Sequence, residues 1–233
     1  MIFYSGNDFE SFTNGIRAII LKEIESEEDG YILNVNIDDY TAHLVQKYKL
    51  DSPEIDIENA TIGSTYKDIS GSEFPRYDFY QIDSNKTFKK EVFIYHIPYT
   101  GDIGLLQLRP NPRVFVIYNA KLDTRESCIL IDIINFYNNP EKIKSQYNEE
   151  VRSLLSNYDH VKANCSTFNN GLESFIRNNT EDRKQQILRK NNILASLGVP
   201  IRKKEAVAET FSIPKPKLRE KIIVKPEVYE EGY

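Results

Sequence analysis

Between Ile143 and Phe175 an apolar residue recurs at every third or fourth position: Ile143, Tyr147, Val151, Leu154, Tyr158, Val161, Cys165, Phe168, Leu172 and Phe175. That period fits a helix, because a strand alternates every second residue. The stripe is one seam wide, so it predicts a long helix that either lies along a sheet or meets a partner helix. Lying along a sheet is the simpler reading. In the other, Tyr147, Val151, Leu154, Tyr158 and Val161 form an oligomerisation seam. Asn139-Pro140-Glu141 supplies a capping asparagine, a proline at the first helical position and an acid at the positive end of the helix dipole. Asn169-Asn170-Gly171 offers a break, since glycine costs about 1 kcal/mol in a helix interior. A further helix is expected from Thr180, through an acidic first turn, to Leu197, where Gly198 and Pro200 stop it.

A long amphipathic helix needs a layer to cover, and residues 88–134 supply one. Lys90–Tyr99, Gly104–Leu108, Arg113–Tyr118 and Ser127–Ile134 are rich in β-branched and aromatic residues and are separated by turn chemistry. Gly101 permits the positive φ of a tight turn, Arg109-Pro110-Asn111-Pro112 forbids helix, and Lys121-Leu122-Asp123 reads as a third turn. Four consecutive short strands predict an antiparallel β-meander. Upstream, Phe9, Phe12, Ile16, Ile19, Ile20 and Leu21 predict a helix over 8–25, broken by the acidic stretch to Gly30. Ile37, Tyr40, Leu44 and Tyr48 predict a second over 37–48, capped by Asn36 or Asp38. Ile55 and Ile57 alternate with acids as in a strand, and the following stretch, with Ile62, Tyr66 and Ile69 scattered among small and polar residues, reads as a loop. The fold class expected is α+β, a meander packed against long C-terminal helices and an N-terminal helix.

The chain has 233 residues, enough for one large domain or two small ones, and its 40% hydrophobic content excludes a wholly disordered chain. A net charge of −5 argues against wholesale non-specific binding to nucleic acid or anionic membrane. No run of eighteen apolar residues occurs and Met1 leads straight into a polar stretch, so neither a membrane span nor a signal peptide is expected, and the location expected is cytoplasmic. The charge is unevenly spread. Residues 202–225 hold eight Lys or Arg against three Glu, a local +5, spaced by Pro214 and Pro216 as in an extended linker. Arg202, Lys203, Lys204, Lys215, Lys217 and Arg219 are therefore the candidate nucleic-acid contacts, although Phe211 alone offers a stacking surface among them.

Catalytic signals are sparse. Neither glycine-rich phosphate-loop pattern occurs among the ten glycines, and His43, His96 and His160 form no metal-binding pair. Cys128 and Cys165 lie 37 residues apart, which suggests buried thiols rather than a disulfide or zinc site. No cofactor is expected. Asp182-Arg183-Lys184 has an acid-x-Lys spacing, but at the start of an expected helix it serves as a solvated, dipole-matched face. Asp132 lies in a strand without such a partner. His96, with Asp102 and Arg109 downstream, remains as a candidate ligand site.

Three stretches resemble a family of bacterial proteins: Val92-Phe93-Ile94-Tyr95-His96-Ile97-Pro98-Tyr99-Thr100-Gly101-Asp102; then Leu108-Arg109-Pro110; and Asn192-Ile193-Leu194-Ala195-Ser196-Leu197-Gly198-Val199-Pro200-Ile201-Arg202-Lys203-Lys204. Thr210-Phe211-Ser212-Ile213-Pro214-Lys215 is similar to the segment that precedes a basic linker in that family. Family members continue into a restriction-endonuclease-like domain and are associated with defence against foreign DNA. The resemblance implies that 1–200 is an accessory or sensor domain and that 201–233 is a linker toward a C-terminal nuclease domain. It implies no catalytic residue here. The expected role is thus a non-catalytic sensing, regulatory or oligomerisation module. Its partners would be the nuclease domain or another protein, a second copy of the chain, and nucleic acid at the basic tail. The competing readings are a stand-alone enzyme built around His96, Asp102 and Arg109, and a helical assembly protein.

Overall fold

Ile16, Ile20 and Ile24 fall four residues apart, and in the computed structural model of the protein they form the buried stripe of α1 (Phe9–Ser26). The structure describes residues 2–3, 7–76, 78–112 and 120–197. Ile19, expected on that stripe, is exposed instead. Helix α1 ends short of Gly30, which sits within a short following helix, α2 (Asp29–Asn34). Next comes α3 (Ile37–Tyr48), capped as its sequence predicts: the Asn36 side chain accepts from the Asp38 amide at 3.0 Å. Glu23 links α1 to α3. Lys47 Nζ lies 2.7 Å from both of its carboxylate oxygens, and the Tyr48 hydroxyl donates to it as well.

One turn beyond Glu23, burial and then the Glu23 charge raise the Glu27 carboxyl above its ordinary pKa, against the opposing pull of Lys47. A carboxyl whose folded-state pKa is raised favours the fold when protonated, and that contribution is lost as pH rises through the folded-state value. Glu27→Gln should therefore flatten the fall in thermal midpoint between acid and neutral pH, measured by circular dichroism. An unchanged slope would contradict this role.

The strands follow. β1 (Glu54–Ile55) and β2 (Thr61–Ser70) both pair with one edge of β3 (Thr87–Thr100), antiparallel, while β5 (Cys128–Ile134) pairs with its other edge and carries β4 (Ala120–Asp123) outside it. Pro98 interrupts the shared edge where β1 gives way to β2, and its carbonyl still accepts from the Asp56 amide at 2.9 Å. The protein is α+β with an antiparallel sheet, as the sequence implies, but the membership of that sheet differs. Ile62, Tyr66 and Ile69, expected in a loop, lie in a ten-residue strand. Gly104–Leu108, expected as a strand, is instead a 3-10 turn over Ile103–Gln107, which buries Leu105 and Leu106 together. Lys121-Leu122-Asp123, expected as a turn, is strand β4. The turn comes just after it, where Asp123 accepts from the Arg125 and Glu126 amides. The expected strand Arg113–Tyr118 lies outside the described residues.

Gly101 takes its expected positive φ of 84°, and a Cβ there would also press on Pro53 Cα and Ser52 O at 3.0 Å each. After β5 the chain enters α4 (Pro140–Ser196), a single helix of 57 residues where two were expected. Asn139 caps it by accepting from the Glu141 and Lys142 amides. Thr180, expected at a helix start, lies in the interior of α4. It is buried inside the helix with its hydroxyl donating to Ile176 O at 2.9 Å, the usual refuge for a threonine in a helix interior.

The described residues fall into two compact units. The first comprises the sheet, its loops, the first residues of the chain and α4 up to Asn164. Its core includes Ile97, Ile129, Ile131, Leu154 and Val161, all fully enclosed, each contributing about 1.5–3 kcal/mol by leaving water. The second comprises Glu10–Leu50 and α4 from Cys165 onward. There Arg17 lies over the Phe168 and Phe175 rings, and Arg183 pairs with Asp29 at 2.6 Å. Among the described residues, no helix is long and apolar enough to cross a membrane.

Candidate functional site

Alternation along β3 divides the first unit's sheet into two faces. Phe93, Tyr95 and Ile97 share one face with Ile129, Ile131 and Ile133 of β5. Tyr95 stacks on Tyr147 of α4 with ring centroids 3.8 Å apart, which places the start of the helix on this face. The expected seam is thereby used inside the chain: Tyr147 stacks, and Leu154, Tyr158 and Val161 are buried. Val151 is half-buried.

The opposite face carries Val92, Ile94 and His96 of β3, with Thr61, Gly63, Thr65 and Lys67 of β2, Leu130, Asp132 and Ile134 of β5, and Lys121 of β4. At one end this face is roofed by aromatic rings. Phe74 packs with Phe79, Phe88 and Phe136 over Ile69 and Val92. Toward the other end polar groups predominate. Asp132, its side chain 18% exposed, holds Lys67 at 2.7 Å and Lys121 at 3.5 Å. His96 Nδ1 lies 3.4 Å from Glu126 Oε2.

A lysine from β4, beside β5, and one from β2, two strands away across β3, thus converge on one carboxylate from β5, a trio with a formal net charge of +1. Two ammonium groups compensate the carboxylate at short range, an attraction moderated by the solvent that reaches both lysines. Such a centre can hold an anionic group above the lysines. No family model, curated protein or solved structure matches the chain.

His96, Asp102 and Arg109 are each engaged elsewhere. His96 faces Glu126. Asp102 accepts from the Gly104 amide at 3.0 Å and so starts the 3-10 turn. The backbone of Arg109 joins the beginning of the chain, donating to Asn7 O and accepting from the Phe9 amide beside a bridge to Asp8. Asp182-Arg183-Lys184 lies within α4 rather than at a helix start, so it matches no helix-start dipole, and Arg183 is committed to Asp29. Among the described residues, no group of three or more His, Cys, Asp or Glu is placed to hold a metal ion. The tail lysines and arginines at 202–219 lie outside the described residues. Sequence reading missed Lys67 and Lys121, because the first was read in a loop and the second in a turn. The signal that would have found them is the spacing of Thr61, Thr65 and Lys67 on one side of a strand.

Proposed function

We propose that the chain is the non-catalytic binding and regulatory module of a bacterial nuclease-type defence effector, with the nuclease chemistry supplied by another domain or protein. The observation that carries the non-catalytic part is the pairing of Asp132 with Lys67 and Lys121. A carboxylate held by two ammonium groups is poorly placed to bind Mg²⁺ or activate water, yet it orders two cations for recognition of an anionic group. His96 with Glu126 extends the polar patch on the same unit. The nuclease association rests on the resemblance at 92–102, 108–110 and 192–204, and the +5 charge of 202–225 suits a tether that meets nucleic acid.

Two measurements test the reading. The purified chain should leave plasmid DNA intact with Mg²⁺ or Mn²⁺, and reproducible cleavage lost in Asp132→Asn or Asp182→Asn would overturn the non-catalytic assignment. An antibody raised against the chain should detect, in source cells, either a product well above the mass of these 233 residues or a co-purifying nuclease. A lone product of this length with no nuclease partner would sink the effector reading.

A further inference from the structure

Strand β2 leaves a complete sheet edge open. Its pairing with β3 runs without a bulge from Thr61–His96 to Ser70–Thr87, and among the described residues it has no pairing on its outer side. Thr61 through Tyr66 are exposed whichever face they point to, so neither face is covered there. Natural edges of this length are usually blunted by a proline, a bulge or an outward lysine. None of these devices is present, since the one lysine of β2, Lys67, turns in to Asp132. Ile62 and Tyr66 are 56% and 65% exposed and lie four residues apart on the same face.

The hydrogen-bond parity of this edge is fixed by the strand's own continuation. The Gly71 amide donates to Lys86 O at 2.7 Å, so in this ladder odd-numbered residues direct their amides and carbonyls toward β3. Ile62, Ser64, Tyr66 and Asp68 therefore direct theirs outward. An antiparallel newcomer must bond to those four residues. If it is a second β2 related by a two-fold axis, even residues must face even residues, which leaves few registers. With Ser64 on the axis, Ile62 of each copy faces Tyr66 of the other, Lys67 faces Thr61 and Asp68 faces Ala60. No like charges meet, and all four exposed apolar side chains pair across the junction. Moving the axis to Thr65 would set Ile62 against Asp68. Moving it to Gly63 would set Ile62 against Ser64.

We infer that the β2 edge is a self-association surface, on which a second copy of this chain adds antiparallel with Ser64 at the two-fold axis. The occupant is a second copy because the edge is self-complementary in side-chain class, charge and bonding parity at one register, as an isologous interface requires. This pairing is independent of any role in a nuclease effector. It also uses a surface separate from the helical seam, which is spent within the chain.

The test is the mass of the full chain in solution at tens of micromolar, by light scattering, together with substitutions read from the parity. Wild type should have twice the chain mass. Ser64→Pro removes only an outward amide and leaves the β2–β3 ladder intact, so it should return the mass to one chain with an unchanged circular dichroism spectrum and thermal midpoint. In a Cys128→Ser background, Ser64→Cys should give a covalent dimer with a short bis-maleimide. Ile62→Cys should not, because the two copies of that position are several residues apart. A monomeric wild type, a folded Ser64→Pro that remains dimeric, or cross-linking at position 62 in preference to 64 would each overturn the proposal. A monomer that gains mass only with an added extended peptide would likewise assign the edge to another partner.

Discussion

Replacing Gly71 with alanine should destabilise the first unit by about 3 kcal/mol or more, the upper range for forcing an atom into filled space. Gly71 follows β2 directly, and its amide continues the ladder to Lys86 O. It also begins a 3-10 turn closed by a reciprocal cap between Ser70 and Glu73. A Cβ at this position would overlap the Asp83 carbonyl oxygen, with Asp83 C and Ile82 Cγ2 each only 3.0 Å away. Two of those atoms are backbone in a loop that is bonded back to the turn through Ser70 Oγ to Ser84 O and closed on itself through Lys86 N to Asp83 O. Relief requires moving the loop, which carries Phe79 and Ile82 into the aromatic roof. Gly63→Ala is the control. Its Cβ meets nothing within 4 Å, so its effect should stay within about 0.5 kcal/mol. Denaturant midpoints of the two variants against wild type give the comparison, and equal midpoints for Gly71→Ala and Gly63→Ala would show that the loop yields without cost.

Gly71 also shows where sequence reading reaches its limit. Strands β3 and β5 were legible because each presents branched or aromatic residues to a covered face, and the seam of α4 was legible because one stripe turns inward, with Tyr147 stacked on Tyr95 and Leu154, Tyr158 and Val161 buried. Strand β2 was not. Exposed on both faces over its first six residues, it has no burial alternation to betray its period, and its partner, not its side chains, makes it a strand. Leu105, Leu106 and Leu108 misled in the opposite direction, since an apolar run suited to a buried strand is equally satisfied by a tight turn that buries them all. The candidate site inherits both errors. Lys67 lies on the missed strand and Lys121 on a strand read as a turn, so the Asp132 centre could be assembled only from the register. His96 was legible as a strand residue, but its neighbour Glu126 comes from the β4–β5 turn.

Asn169, within the stretch expected to break α4, makes a tertiary contact that local propensity does not contain. The Asn169 side chain accepts from the Leu50 amide and donates to the Leu50 carbonyl, each at 2.9 Å, so one side-chain amide satisfies both backbone groups of a residue that is 6% exposed. Asn164 does the same for the exposed Asn111 in the first unit, at 2.9 and 2.7 Å. An asparagine that reads as a helix breaker is here the only side chain short enough, and with both a donor and an acceptor, to clasp a loop. Asn169→Ala should cost about 2–4 kcal/mol, because each buried group left without a partner carries a penalty of about 1–3 kcal/mol. Asn164→Ala should cost less, since water can replace the side chain at an exposed loop. Asn169→Asp separates the two bonds. The introduced carboxyl can still accept from the amide, but when ionised it sets an oxygen against the Leu50 carbonyl, and only its protonated form can donate. Its pKa is therefore raised in the folded state, so the variant is closest to wild type in acid and loses stability as pH rises through the folded-state value. Unfolding midpoints at acid and neutral pH should diverge from wild type for Asn169→Asp while the deficit of Asn169→Ala stays level. An Asn169→Asp protein as stable as wild type at neutral pH would mean that the donor half of the clasp contributes nothing.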